Sequence, residues 1–121
     1  MEEQILQELE RIRENNYLVI VEGKKDRKAL ENFGLKNIIY LKNKPLFEII
    51  ESVNSKEVII LTDLDLEGRK LFSKLRFNLQ KRGVKLDNKL RNLLFKSKLR
   101  QIEGLITYFN HQLYTLDYLL N

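Results

Sequence analysis

With 121 residues and a formal net charge of +5, the chain is sized for one domain with a real core and not for two. The absence of cysteine excludes disulfides, thiol chemistry and structural zinc, and the only histidine, His111, cannot anchor a metal site by itself. No signal-like start or long apolar run directs the chain into a membrane, so a cytoplasmic location is expected.

Residues 2 to 15 place Ile5, Leu9 and Ile12 at helical spacing in a polar background, which predicts an amphipathic helix. The continuous apolar run "YLVIV" (17–21) reads as a buried strand, and "EGKKDRKAL" then turns into a short helix ending near Gly34. A second apolar run, Ile38 to Leu41, is followed by the only proline, Pro45, which suits the first turn of a helix reaching about Ser52. The third run, Val58 to Leu61, leads into a long helix with Leu71, Phe72, Leu75 and Leu79 on one face, ended by Gly83. "VKL" (84–86) predicts a short fourth strand, and Asp87 an N-cap for a basic helix over 88–100. A last helix sets Ile102, Leu105, Ile106, Phe109, Leu113, Leu116 and Leu120 on one stripe, able to pack on the sheet or to serve a partner or second copy of the chain. Apolar runs that do not alternate, separated by helices, describe parallel strands buried on both faces. The fold class is therefore α/β: a small Rossmann-like parallel sheet of about four strands with helices on both faces and extra helices at both ends.

Charge is distributed unevenly along this order. Residues 1–68 carry ten basic and fourteen acidic residues, 69–100 carry twelve basic residues against Asp87 alone, and 101–121 carry only Glu103 and Asp117. A basic block after an acidic cluster points to a polyanion and a cation held between the two, although Lys-rich helix faces also serve solubility alone. The acids are the stronger clue. In parallel sheets ligands sit beyond the carboxyl ends of the strands, where strand order reverses. There Glu22 follows the first strand and Asp63, Asp65 and Glu67 follow the third. Asp63 and Asp65 are expected on the same side of an extended chain, roughly 6.6 Å apart. Carboxylates gathered in one crevice either take up protons or share a cation, and all-oxygen donors suit Mg²⁺ or Mn²⁺, not zinc. Gly23 and Gly68 would let backbone approach a phosphate, and Lys24, Lys25, Arg69 and Lys70 would hold its charge. An EF-hand is excluded, since Lys74 stands where the loop from Asp63 needs a bidentate glutamate. A phosphatase of the dehalogenase type fits less well, and simple capping of a helix by these acids remains open.

Taken together, "IVEGKKD" and "LTDLDLEG" resemble the Toprim domain of topoisomerases, bacterial-type primases, OLD nucleases and the ribonuclease that matures bacterial five-S ribosomal RNA. The resemblance covers residues 17 to about 86, leaving 87–121 as a basic helical extension of the same domain that looks like the tails of small stand-alone archaeal Toprim proteins. It implies that Glu22 is the catalytic glutamate and that Asp63 and Asp65 bind metal, with Glu67 matching a third acid of type IA topoisomerases. Asp26 matches an acid common in the ribonuclease group. Leu64 departs from the family by standing where topoisomerases and the ribonuclease carry proline.

Two functions follow from the resemblance together with the basic flank. One is a Mg²⁺-dependent enzyme acting on nucleic-acid phosphodiesters, a nuclease or ribonuclease, with Glu22 moving the proton and the 69–100 block gripping backbone phosphates of RNA or DNA. The other is a non-catalytic nucleic-acid-binding or assembly module, working within a homodimer or larger complex through the C-terminal helix.

Overall fold

A computed structural model describes residues 1–105 and 107–109. The elements run α1 (Glu2–Asn15), β1 (Leu18–Val21), α2 (Lys24–Glu31), β2 (Ile38–Tyr40), α3 (Leu46–Ser52), β3 (Glu57–Ile60), α4 (Leu66–Lys81), β4 (Lys85–Leu86) and α5 (Lys89–Lys96), then a 3₁₀ turn at Ile102–Gly104. The four strands form one sheet in the order β2-β1-β3-β4, all parallel, with Val19 opposite Ile38 and Ile59, and Val58 opposite Leu86. This is the three-layer α/β arrangement expected from non-alternating apolar runs.

The strands read as continuous apolar runs because each face of the sheet has its own core. Val19, Val21, Ile59 and Leu61 point toward Ile5, Leu9 and Ile12 of α1, Leu30 of α2, and Leu90 and Leu94 of α5. Leu18, Ile20, Val58 and Ile60 point the other way, onto Ile49 of α3 and Leu75 and Leu79 of α4. Burial of both faces supplies the hydrophobic driving force that a two-residue β4 and a three-residue β2 could not supply alone. No helix among the described residues is long and apolar enough to cross a membrane.

Three boundaries differ from the sequence-based expectation, each for a local reason. Pro45 precedes α3 as its N-cap, with extended backbone at φ −61° and ψ 133°. Asp87 does not occupy the N-cap of α5, which is Asn88; its Oδ1 instead accepts the Lys89 N–H at 3.1 Å, while Oδ2 pairs with Arg11. The basic helix stops at Lys96 instead of reaching residue 100. There the Ser97 hydroxyl donates to the Leu94 carbonyl and accepts the Leu99 N–H, capping the end of the helix and turning the chain. Of the predicted last stripe, Ile102, Leu105 and Phe109 are buried in the α1–α2–α5 core. Residue 106 and residues 110–121 lie outside the described residues, and with them the proposed partner surface on Leu113, Leu116 and Leu120.

Candidate active site

The strand order reverses between β1 and β3, and the two chains leaving those strands carry Glu22 and Asp63. The backbone ladder continues through the Leu61 N–H to the Ile20 carbonyl at 2.8 Å. One step further, the Glu22 side chain takes over, its Oε1 accepting the Asp63 N–H at 3.0 Å. Glu22 is thus fixed against the acid loop by the register of the sheet itself.

The loop that follows is not extended. Leu64 and Asp65 bend, Asp65 becomes the N-cap of α4, and its Oδ1 accepts the Gly68 N–H at 2.9 Å. Alternation along the chain therefore does not carry from Asp63 to Asp65. Asp63 lines the cleft described below, whereas Asp65 and Glu67 are exposed at the start of α4, with Glu67 Oε1 3.7 Å from Lys70 Nζ. Gly68 is required by its close packing against this loop: a Cβ there would lie 1.9 Å from the Asp63 carbonyl oxygen. Its N–H serves Asp65 and its carbonyl accepts the buried Thr62 hydroxyl at 2.6 Å. Gly23 is different. Its backbone is extended and a Cβ would meet only Asp26 Oδ2, at 3.8 Å, so packing alone does not demand glycine at this position.

Four further residues complete the site. Arg91 of α5 is buried beneath the acid loop, its guanidinium donating to the carbonyls of Thr62 at 2.7 Å, Asp63 at 3.3 Å and Ile60 at 3.4 Å. It stacks on Phe72, 4.3 Å from the ring centroid. Burial pushes its pKa down to about 10, against the attraction of Glu22 and Asp63. Asp26, at the start of α2, accepts the Gly23 N–H at 2.9 Å. From the C-terminal segment, the Ile102 N–H donates to Asp63 Oδ1 at 2.9 Å, and Glu103 enters the same cleft. The departure at Leu64 has a use here: its N–H donates to the Arg100 carbonyl at 2.7 Å, a bond that proline could not make.

Glu22, Asp26, Asp63 and Glu103 face a cleft of about 930 Å³ together with Gly23, Lys24, Lys25 and the turn 40–44. Arg69 and Lys70, expected to hold phosphate, are exposed on α4 and do not line it. Burial raises the pKa of Glu22, partly offset by its bond from the Asp63 N–H, and Asp63, Asp26 and Asp65 raise it further by repulsion. Asp63 and Asp26 are raised for the same reasons, burial first and neighbouring carboxylates next. Among the described residues no Lys or Arg forms an ion pair with Glu22, Asp26 or Asp63.

Among the described residues, no three His, Cys, Asp or Glu side chains come close enough to form a ready cage for a metal ion. The donor set still fits Mg²⁺, which keeps several waters and takes one or two carboxylates plus substrate phosphate oxygens. Unneutralised carboxylates with raised pKa values, beside lysines able to hold a phosphate, are that kind of open site. Sequence reasoning had no means of finding Arg91, which sits in the middle of a basic block, or Glu103, forty positions from Asp63 (103 − 63).

The comparisons agree with this fold. The Toprim domain family model matches residues 17–95. A UPF0292 protein of Methanocaldococcus jannaschii is 36% identical over 103 residues, covering 79% of this chain and 80% of its own. One from Pyrococcus abyssi is 36% identical over 104 residues, covering 84% and 79%. Among solved structures, a putative protein from Aquifex aeolicus superposes with a TM-score of 0.76 at 32% identity, over 84% of this chain and 95% of its own. The zinc-binding and RNA polymerase domains of the Aquifex aeolicus primase share the fold at a TM-score of 0.55 and 24% identity, with the match covering 89% of this chain and 27% of the primase fragment. The chain is a Toprim-domain protein of the UPF0292 family, whose archaeal members it resembles over most of their length.

Proposed function

We propose that the chain is a Mg²⁺-dependent enzyme of nucleic-acid phosphodiester hydrolysis, a nuclease or ribonuclease or the catalytic module of one. The observation that carries this reading is the Glu22–Asp63 pairing at the strand switch point, open to a cleft that also presents Lys24 and Lys25. Asp63, with Asp65 beside it, would hold Mg²⁺ or Mn²⁺, which supplies Lewis-acid polarisation of a phosphate oxygen when bound. Glu22 is the proton-moving group: its raised pKa brings it closer to the neutral range in which a carboxyl both accepts and donates. Lys24 and Lys25 hold the phosphate's charge, and Gly23, where packing does not demand glycine, leaves the backbone open to it. Arg91 keeps the acid loop in place from below and takes no part in the bond changes. In the reaction a water oxygen attacks phosphorus as Glu22 takes the water's proton. The P–O bond to the leaving oxygen breaks with its electron pair going to that oxygen, which takes up a proton from solvent while Glu22 returns its own to solvent.

The test is cleavage of labelled single-stranded, duplex and structured RNA and DNA with Mg²⁺ or Mn²⁺, comparing the parent with Glu22→Gln. Loss of general acid–base help is expected to slow cleavage by about 10²-fold or more. Equal rates would remove Glu22 from the chemistry. Binding without any cleavage by the parent would favour a module that docks on nucleic acid and leaves cutting to a partner.

A further inference from the structure

The +11 charge of residues 69–100 points, in sequence, to α4 and α5 as the surface that grips the substrate. The described fold distributes those cations otherwise. Arg91 is buried under the loop, and Lys74 and Arg76 are exposed on α4 without lining the cleft. The cations that do reach the acid-lined cleft away from α2 come from the tight turn after the edge strand β2.

That turn is built onto Glu22. The Leu41 N–H donates to the carbonyls of Val21 and Glu22 at 3.0 and 3.1 Å, and the Lys42 N–H donates to the Glu22 carbonyl at 2.8 Å. The Lys44 N–H closes the turn onto the Leu41 carbonyl at 3.0 Å, with Asn43 in the left-handed region at φ 65°. Asparagine tolerates this conformation. Lys44 Nζ lies 4.0 Å from the centroid of the Tyr40 ring, which also carries the Arg27 guanidinium at 4.9 Å. Lys42 and Lys44 are exposed, and neither forms an ion pair among the described residues. Lys42 directly, and Lys44 through Leu41, are therefore held by backbone bonds to the residue that carries the candidate catalytic carboxylate.

From this we infer that Lys42 and Lys44 form a backbone-phosphate subsite that leads an unpaired nucleic-acid strand into the cleft across the β2 edge of the sheet. The inference rests on the nucleic-acid reading above and adds the substrate's path and strandedness. Phosphates on the two lysines place the following phosphodiester toward Glu22 and Asp63. A cleft of about 930 Å³ is of the size that holds a small ligand, which is a short stretch of single strand and not a duplex.

The test is fluorescence anisotropy of a labelled single-stranded oligonucleotide, in RNA and DNA forms, titrated across a salt series without divalent metal. Lys42→Gln/Lys44→Gln is compared with Lys74→Gln/Arg76→Gln, all four positions being exposed, and melting curves check that both variants fold. Each phosphate contact on a single strand contributes about 0.7 to the slope of log affinity against log salt. The turn variant is expected to lower that slope by about 1.4 and the α4 variant to keep it. A turn variant that binds with the parent's slope, or an α4 variant that loses as much, overturns the path while leaving the Glu22-dependent cleavage reading intact. A duplex bound more tightly than the single strand overturns the strandedness. A parent that binds no oligonucleotide at low salt removes the nucleic-acid reading and this subsite with it.

Discussion

Asp63 and Asp87 occupy equivalent places in the fold, each just beyond the carboxyl end of a parallel strand, and each accepts a backbone N–H, from Ile102 and Lys89 respectively. Their electrostatics are opposite. Asp87 also holds Arg11 at 2.5 Å. Burial works against its charge, but the bonds from Arg11 and the Lys89 N–H outweigh that and lower its pKa. At Asp63, burial and the repulsion of Asp65 and Glu103 outweigh the Ile102 N–H and the field of Arg91, and the pKa rises. Asp87 is an acid the fold has partnered, tying α1 to the start of α5. Asp63 is an acid the fold holds in place and leaves electrostatically unsatisfied, which is the condition of a residue waiting for a cation or a proton.

The largest change to this contrast comes from removing the cation beneath Asp63. Arg91→Met keeps an unbranched stem but removes the guanidinium, which ends its stacking on Phe72 and Phe95 and strips three backbone carbonyls of their buried donor. A loss of about 3 kcal/mol is expected in urea unfolding, since unsatisfied buried acceptors cost about 1–3 kcal/mol each and share one donor group here. Arg91→Lys retains the charge without the planar fork and should recover only part of it. Unfolding of Arg91→Met at the parent's midpoint would mean that the acid loop holds its shape unaided.

Arg91 also shows where the sequence was readable and where it was not. The three long apolar runs stated the sheet and its parallel character, because burial on both faces removes alternation. The positions of Glu22 and Asp63 followed from strand ends alone. Geometry past the strand end was not legible: the alternation that would align Asp63 with Asp65 ends at the Leu64 bend, and that bend is held by the Arg100 carbonyl, 36 positions away (100 − 64). Arg91 is one of twelve cations between 69 and 100, and nothing local separates the buried one from those facing water. Glu103 reaches the cleft only because Ser97 ends α5 and returns the chain over the acid loop. These are tertiary facts, fixed by hydrogen bonds between segments with no pattern in common.

A smaller effect is expected on the partnered side. Asp87→Asn keeps the acceptor for the Lys89 N–H but removes the ionic half of the Arg11 contact, in which Asp87 is nearly covered and Arg11 partly open. About 1–2 kcal/mol should be lost at neutral pH, at the upper end for such pairs because one partner is buried. Asp87 has a folded-state pKa below its ordinary value of 3.8. Its stabilisation is therefore present above that value and disappears as pH falls through the lower, folded one. Parent and variant should differ at neutral pH in thermal melts and converge in strong acid. A constant gap across that range would assign the loss to packing and not to charge.

The smallest change in stability, and the one of opposite sign, is expected at Asp63 itself. Asp63→Asn preserves an oxygen for the Ile102 N–H and removes a carboxylate that burial, Asp65 and Glu103 all disfavour. A folded-state pKa raised above the ordinary value means that the folded protein binds the proton more tightly, so the parent loses stability as pH rises from the ordinary carboxylate range through the folded pKa. The variant escapes that loss. Above this window it should equal or exceed the parent by less than about 1 kcal/mol, the partial exposure of the site screening the rest. Mg²⁺ should raise the melting temperature of the parent, by mass action on the native state, and leave that of Asp63→Asn unchanged. Taken with Asp87→Asn, the two differences should run in opposite directions against pH. If Asp63→Asn instead loses stability at neutral pH and recovers in acid as Asp87→Asn does, Asp63 is a partnered structural acid, and the Mg²⁺ response has to originate elsewhere in the chain.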